Sequence, residues 1–511
     1  MSAASGAAAE PGLGRRARQG LAWSAGGTAA SIAAQLVLMA VMARLVEPAA
    51  FGLVAMALVA MRLVGLAAQL GLGPALIQRE RLDADDVRAA LGLTVGAGLA
   101  GTALLVAAAP LVARLYGRAD VAPVLQGLAL SLLPAAVAGL WSALLRRALR
   151  LRAATAVELG SYLVGYGAVG VALAMAGAGV WALVGAAVAQ ALTGAVLGAL
   201  RVGPPRWPGW RGLRAARGRL AGYGSRHTAV TLAEFAAANL DTALIGRLLG
   251  ETVLGLYNRA LLLATLPAEK LAGALTRVLF PLVSGVQADA RTAGAAGLLG
   301  VAAAGMAAAA LGPGVAAAAG DVVAVLLGPR WAPAVPLLQL LAWVAPPMFV
   351  NHVCGVLCDA TARLGVKLRV QLGALVLFAV AAPGLCIGLG LGAAGVAAAL
   401  LLTEVVRLAA YLVVLSARMH WRAADLARVL GAVAVVAGAV HAGVAAAAAA
   451  LHGVALPLVA LMAEVAAGAV ALAMALSVAA RLIAPTAAGE LARRHVPGAQ
   501  RWMALVGATA R

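Results

Sequence analysis

Charge is what this 511-residue sequence is short of: 39 basic and 19 acidic side chains make up only 11% of it, while 64% is hydrophobic. An ordinary soluble chain carries about a quarter charged residues, so this one cannot clothe a core of its size in polar surface, and a soluble globular domain is excluded. Acidic residues are the scarcer kind, leaving a net charge of +20. On a soluble domain that excess would point to nucleic acid; here it asks which side of a bilayer the charge occupies, and no nucleic-acid partner is expected. Cysteine is nearly missing too. Cys354, Cys358 and Cys386 are scattered in apolar runs, which excludes a disulfide framework or zinc-ligand spacing. Cys354 and Cys358 stand four apart with only His352 for company and read as small residues in helix packing. No GxxxxGK[ST] loop is present, so ATP is not hydrolysed by that route. Gly390 to Gly395 does fit GxGxxG, but no strand precedes it and both flanks are apolar, so it reads as a tight interhelical turn. The longest loop, 201–220, has no room for a catalytic domain. Neither enzyme activity nor a cofactor or metal is expected.

What is present is long apolar runs. A spanning helix needs about 20 mostly apolar residues. Cutting the chain where charges, prolines or turn dipeptides cluster gives fourteen segments: 20–45, 50–78, 88–113, 121–145, 153–176, 179–200, 221–246, 253–284, 293–319, 332–358, 365–389, 392–416, 426–450 and 454–482. The expected fold is therefore all-α, a polytopic membrane protein. Basic residues orient it, since cytoplasmic loops collect Lys and Arg. With the N-terminus inside, 28 fall on the inner side and 6 outside, as expected for an even number of spans with both termini cytoplasmic. Arg15, Arg16 and Arg18 precede an apolar run too long for a cleaved signal. Trp207, Trp210, Trp421 and Trp502 lie beside basic residues and suit the headgroup zone.

An internal duplication organises the segments. Arg44-Leu45-Val46 with Phe51-Gly52-Leu53 returns 203 residues later as Arg247-Leu248-Leu249 with Leu254-Gly255-Leu256. Tyr116-Gly117 returns 211 residues later as Leu327-Gly328, and Pro123-Val124-Leu125-Gln126 returns 213 residues later as Pro336-Leu337-Leu338-Gln339. Segments 1–6 and 7–12 thus read as two pseudo-symmetric six-helix lobes in parallel orientation around a central cavity, a transporter architecture. The expected organisation is a tail (1–19), an N-lobe (20–200), a basic cytoplasmic linker (201–220), a C-lobe (221–416), two appended helices (417–483) and a cytoplasmic tail (484–511).

Each ionisable residue at mid-membrane costs roughly 2.5–3.5 kcal/mol, so it needs a partner or a watery cavity. His227, Glu234 and Asp241 recur every seven residues on one face of the seventh segment, with Asn239 adjacent. That face fits either a water-lined cavity or a buried polar seam. The eighth segment carries Lys270 and Arg277 seven apart with Glu269 beside them, and its counterpart, the second, carries Arg62. Repeat-related helices that both place positive charge in the membrane would suit an anionic group such as phosphate, while snorkelling or pairing with Glu234 or Asp241 is the plainer alternative, especially for Arg277. Glu404 and Arg407, three apart, read as a mutually neutralising pair. Glu464, alone in the last segment, and Glu158 read as structural or of unknown role.

Several stretches resemble one family. They are Ala43-Arg44-Leu45-Val46-Glu47-Pro48 with Phe51-Gly52-Leu53-Val54-Ala55-Met56, Leu70-Gly71-Leu72-Gly73-Pro74-Ala75-Leu76-Ile77-Gln78-Arg79, and Asn239-Leu240-Asp241 with Leu244-Ile245-Gly246-Arg247. Leu254-Gly255-Leu256-Tyr257-Asn258-Arg259-Ala260, Val278-Leu279-Phe280-Pro281-Leu282-Val283-Ser284 and Leu327-Gly328-Pro329-Arg330-Trp331-Ala332-Pro333 continue the pattern. Over roughly 15–430 the chain resembles the Wzx-type polysaccharide flippases of the multidrug/oligosaccharidyl-lipid/polysaccharide exporter superfamily. The resemblance implies twelve core helices plus two, working by alternating access in the bacterial inner membrane to move undecaprenyl-diphosphate-linked oligosaccharides from the cytoplasmic to the periplasmic leaflet, for exopolysaccharide, capsule or O-antigen. Expected partners are the lipid-linked oligosaccharide, membrane lipid, and a polysaccharide polymerase and co-polymerase. Arg62, Lys270, Arg277 and Asn239 become candidates for the diphosphate and sugars; Asp241, Glu234 and His227 become candidates for a coupling ion. Ala238 stands where relatives often have a polar or basic residue. A drug or small-cation antiporter of the same superfamily and a non-transporting scaffold of a polysaccharide assembly complex are the competing readings; the excess of basic charge speaks against cationic cargo.

Overall fold

The structure, a computed structural model, describes residues 31–69, 84–148, 150–203, 225–286, 289–451 and 456–495. The chain divides into two compact units, Met1–Ser225 and Arg226–Arg511. Among the described residues, nine helices are long and apolar enough to cross a bilayer, and two bent pairs bring the number to eleven. Three further helices, Ser31–Leu45, Ser225–Leu248 and Gly250–Gly285, fall on the remaining expected segments.

In the first unit these are α1 (Ser31–Leu45), α2 (Pro48–Gln69), α3 (Ala84–Tyr116), α4 (Val121–Ala129), α5 (Leu132–Arg147), α6 (Leu151–Met175) and α7 (Val180–Val202). The second unit holds α8 (Ser225–Leu248), α9 (Gly250–Gly285), α10 (Ala290–Ala317), the short α11 (Ala319–Leu326) and a 3-10 turn, Pro329–Ala334. It continues with α12 (Val335–Ala342), α13 (Ala345–Ala360), α14 (Leu364–Gly388), α15 (Gly392–Arg418), α16 (Ala423–Leu451), α17 (Pro457–Ile483) and α18 (Ala487–His495).

The repeat offsets found in the sequence reappear in the helix boundaries. α4 ends at 129 and α12 at 342, α5 spans 132–147 and α13 spans 345–360, and α6 starts at 151 and α14 at 364, each 213 residues later. The bends recur as well: α4 and α5 meet at 40°, α12 and α13 at 44°. Pro134 and Pro347 occupy matching places just past the bends, where a missing N–H prevents one continuous helix. Inside a membrane the carbonyls freed at such a break need other donors. In the first unit the Ser131 hydroxyl donates to the Leu128 carbonyl (2.7 Å) and Thr102 to that of Ala129 (3.1 Å). The turns closing α6 and α14 match again: Gly177 and Gly179 have φ of +77° and +55°, and Gly390 and Gly392 +69° and +55°. Only glycine takes that conformation at no steric cost, so the GxGxxG stretch is an interhelical turn.

Packing relies on small side chains. The core of the second unit joins α9, α10, α13, α15, α16 and α17 through buried Ala, Val and Leu with Phe349, Cys354, Cys358 and Tyr411. A Cβ on Gly395 would meet the Leu385 carbonyl oxygen at 2.6 Å, so α15 leaves its turn in direct contact with the end of α14. The first-unit core gathers Ala57, Leu105, Leu125 and Leu128 from α2, α3 and α4. Without a hydrophobic driving force between helices in lipid, this close backbone approach supplies van der Waals contact.

Candidate functional site

Polar side chains of the second unit gather into a network that spans five helices. Lys367, in the first turn of α14, is its hub. Its ammonium lies 3.1 Å from Glu234 Oε1 on α8 and 3.0 Å from Asp359 Oδ2 near the end of α13. The exposures are 20% for Lys367, 44% for Glu234 and 32% for Asp359, so the hub is open on one side. Two turns back on α13, His352 meets the Thr276 hydroxyl of α9 at 3.0 Å.

A deeper layer is formed by α13, α14 and α15. Arg407 Nη2 lies 2.6 Å from Glu404 Oε2, with side chains only 15% and 8% exposed. Asn351 Nδ2 donates to the same Oε2 (2.9 Å) and to the Glu404 backbone carbonyl (2.8 Å), and Arg407 Nη1 reaches Gln371 Oε1 at 3.4 Å. The pair Glu404/Arg407 is thus mutually neutralising, as its spacing suggests, and also ties α15 to α13 and α14. Three polar atoms of this layer, Asn351 Oδ1, Arg407 Nε and Thr403 Oγ1, are buried without a protein partner among the described residues. Counted formally, the network holds three carboxylates against two cations. An apolar bundle keeps such a set only where the charges partner one another or meet water or a ligand.

The first unit has no equivalent at the matching positions. Subtracting the 213-residue offset, Asn351, Lys367, Glu404 and Arg407 correspond to Ala138, Ala154, Ala191 and Gly194. Asp359 and Gln371 correspond to Arg146 and Glu158, which form an exposed 3.6 Å pair. At these matching positions two halves with one backbone plan therefore differ in chemistry.

Of the residues singled out from sequence, Glu234 joins the network. Asp241, seven residues on in α8, is buried and separately held: the Tyr257 hydroxyl of α9 donates to Oδ2 (3.0 Å) and the Thr242 amide to Oδ1 (2.6 Å). Glu234 thus engages α14 while Asp241 engages α9. Asn239 is buried, its Nδ2 donating to the Phe235 carbonyl of its own helix at 2.8 Å. Arg62 stands fourteen residues into α2 with an exposed side chain. The side chains of His227, Lys270 and Arg277 lie outside the described residues. Sequence reasoning missed Asn351, His352, Asp359, Lys367 and Gln371 as members of a site. Lys367 stands between Arg363 and Arg369 and so resembles loop charge; Asp359, eight residues before it, is the signal that could have drawn it out.

Fold and site together define a polytopic, all-α membrane protein made of two repeat-related halves, with an extended polar network among the described residues of the second. A profile described as "Polysaccharide biosynthesis protein" matches residues 41–336, and the chain belongs to that family. It is 26% identical over 392 residues to the lipopolysaccharide biosynthesis protein WzxC of Escherichia coli, covering 76% of this chain and 78% of that one. It is 24% identical over 314 residues to the teichuronic acid biosynthesis protein TuaB of Bacillus subtilis, covering 60% and 64%. Among solved structures, the fold is that of the lipid II flippase MurJ in an inward closed conformation, with a TM-score of 0.69, 10% identity and 89% and 98% of the two chains covered. It is also that of an inward-facing multidrug resistance MATE transporter of the MOP superfamily, with a TM-score of 0.60, 15% identity and 76% and 94% covered.

Proposed function

We propose that this protein is a flippase that carries a lipid-linked oligosaccharide repeat unit, joined to undecaprenyl through a diphosphate, from the cytoplasmic to the periplasmic leaflet for surface polysaccharide assembly. The observation that carries the reading is membership of a polysaccharide biosynthesis family by a chain built of membrane-spanning helices. Supporting it, the fold is shared with the lipid II flippase MurJ, and a relative is named for lipopolysaccharide biosynthesis. In this reading the two halves alternate access to a central cavity. Arg62, Lys270 and Arg277 supply cations for the diphosphate, and Asn239 stands with them for the sugars. Guanidinium and ammonium groups suit phosphate oxygens through charge-assisted bonds.

Coupling falls to the second half. Glu234 stays 44% exposed while paired with Lys367, so a cation or proton that competes for Glu234 would release Lys367 toward Asp359 and shift α8 against α14. Asp241 and His227 are the further coupling candidates on the same helix. The protein sits in the bacterial inner membrane with both termini cytoplasmic and hands its cargo to a polymerase and co-polymerase.

The test is a deletion strain complemented with wild type, Arg62→Ala, Lys270→Ala, Asp241→Asn or Glu234→Gln, scored for surface polymer and intracellular lipid-linked repeat units. Loss of polymer with accumulated diphosphate-linked intermediate in the deletion, unrescued by charge variants expressed at normal levels, supports the reading. Normal polymer in a deletion free of a second flippase overturns it in favour of a drug or small-cation antiporter. Full rescue by every charge variant points to a scaffold.

A further inference from the structure

A second acidic feature of the second unit is independent of the network around Lys367. Glu464 lies seven residues into α17 and is 1% exposed. Neither of its side-chain oxygens has a hydrogen-bond partner among the described residues. α17 packs on α11, and the charged group acting on Glu464 is Asp321, in the first turn of α11. Two ionised carboxylates offer acceptors only and repel each other, strongly so where water is excluded. A proton on either one turns it into a donor and replaces the repulsion with a hydrogen bond; paired carboxyls elsewhere share one proton for this reason.

Among the described residues, the surrounding elements offer no competing cation. On α16, His441 is engaged with the Pro313 carbonyl (3.0 Å) and packs against Trp343, while Arg428 pairs with Asp425 at 3.7 Å. On α10, Arg291 lies in the first turn, beside Asp289. Arg330 in the 3-10 turn is exposed, α12 carries no titratable group, and Arg481 of α17 lies seventeen residues beyond Glu464. We propose that Asp321 and Glu464 form a proton-binding site, one proton held between them, which joins the short helix α11 to α17.

The site needs no cargo to be detected, so its test stands apart from the transport reading. Full-length protein in lipid nanodiscs, at neutral pH, is measured by infrared difference spectroscopy for the C=O stretch of protonated carboxyls and its shift in heavy water. Wild type is expected to show one protonated-carboxyl equivalent that is lost in Glu464→Gln and again in Asp321→Asn, whose amide gives Glu464 the donor it lacks. Exchanging potassium for sodium is expected to leave the band unchanged. A band of equal size in wild type and both variants overturns the proposal. So does a band that sodium abolishes, which would mark the pair as a metal-cation site. If Glu464→Gln does not fold, Asp321→Asn decides alone.

Discussion

Removing Arg407 puts the buried layer of the network to a quantitative test. The guanidinium and Glu404 sit 2.6 Å apart with side chains 15% and 8% exposed, so neither charge can turn to solvent if its partner is deleted. Arg407→Met leaves Glu404 with Asn351 Nδ2 as its remaining donor, and Glu404→Gln leaves the guanidinium with the 3.4 Å contact to Gln371 and a neutral amide. Stranding one member of a buried pair costs about 3–5 kcal/mol, whereas replacing both with neutral groups of similar volume is often neutral. Each single variant is therefore expected to lose about 3–5 kcal/mol. The double variant is expected to lose far less than their sum, with a coupling energy near the upper end of the usual range, about 3 kcal/mol. Asn351 would still hold the Glu404 backbone carbonyl in the double variant, so α13 and α15 stay joined. Equilibrium unfolding in mixed micelles, followed by tryptophan fluorescence on all four proteins, supplies the cycle. Single losses below about 1 kcal/mol, as for exposed pairs, with additivity within about 0.5 kcal/mol, would refute the assignment of this pair as a buried link.

Three further outcomes follow from the same geometry. Lys367→Met strands both Glu234 and Asp359 and is expected to abolish polymer export in a complementation assay, with Lys367→Arg restoring part of it because the charge returns in a different shape. Gly395→Ala places a Cβ 2.6 Å from the Leu385 carbonyl oxygen; backbone cannot yield as a side chain would, and a loss of about 1–3 kcal/mol is expected by thermal melting. Asp289, outside the spans, caps α10 by accepting from the Arg291 amide at 3.0 Å, and the Thr292 hydroxyl with that amide holds its carboxyl below the usual range. A depressed value in the folded state means that the cap's contribution is present above the ordinary carboxylate value and is lost as pH falls through the lower one. Hydrogen exchange at Arg291 and Thr292 is expected to quicken over that acidic window and to lose this dependence in Asp289→Ala.

The duplication was legible because it is written in short-range residues. Tyr116-Gly117 and Leu327-Gly328 at 211 residues, and Pro123 and Pro336 and the glycines of the two interhelical turns at 213, each fix a local backbone event, and the helix boundaries from the end of α4 to the start of α6 recur 213 residues later. Apolar length likewise gave most spans, while the single count of fourteen does not allow for bends: α4 with α5, and α12 with α13, are broken helices that hydropathy alone reads as continuous. The polar network was hidden for the opposite reason. Asn351 finds Glu404 at a distance of 53 residues and Arg407 finds Gln371 at 36, pairings set by which helix faces meet, a matter of packing that no local pattern encodes. Glu404 and Arg407, close in sequence, were the part that could be read; Lys367, beside a turn rich in arginine, could not be told from loop charge. Glu464 looked solitary because Asp321 lies 143 residues earlier, on a helix of only eight residues.

The most direct test of the central claim is leaflet-resolved transport by purified protein. Proteoliposomes are loaded with undecaprenyl-diphosphate-linked repeat unit in both leaflets, the outer pool is removed by an added glycosidase, and the later appearance of cleavable glycan outside is timed. Rapid replenishment is expected with wild type, and a rate close to that of protein-free vesicles with Lys367→Met. Replenishment by folded wild type no faster than in protein-free vesicles, across imposed proton and sodium gradients, would contradict that claim.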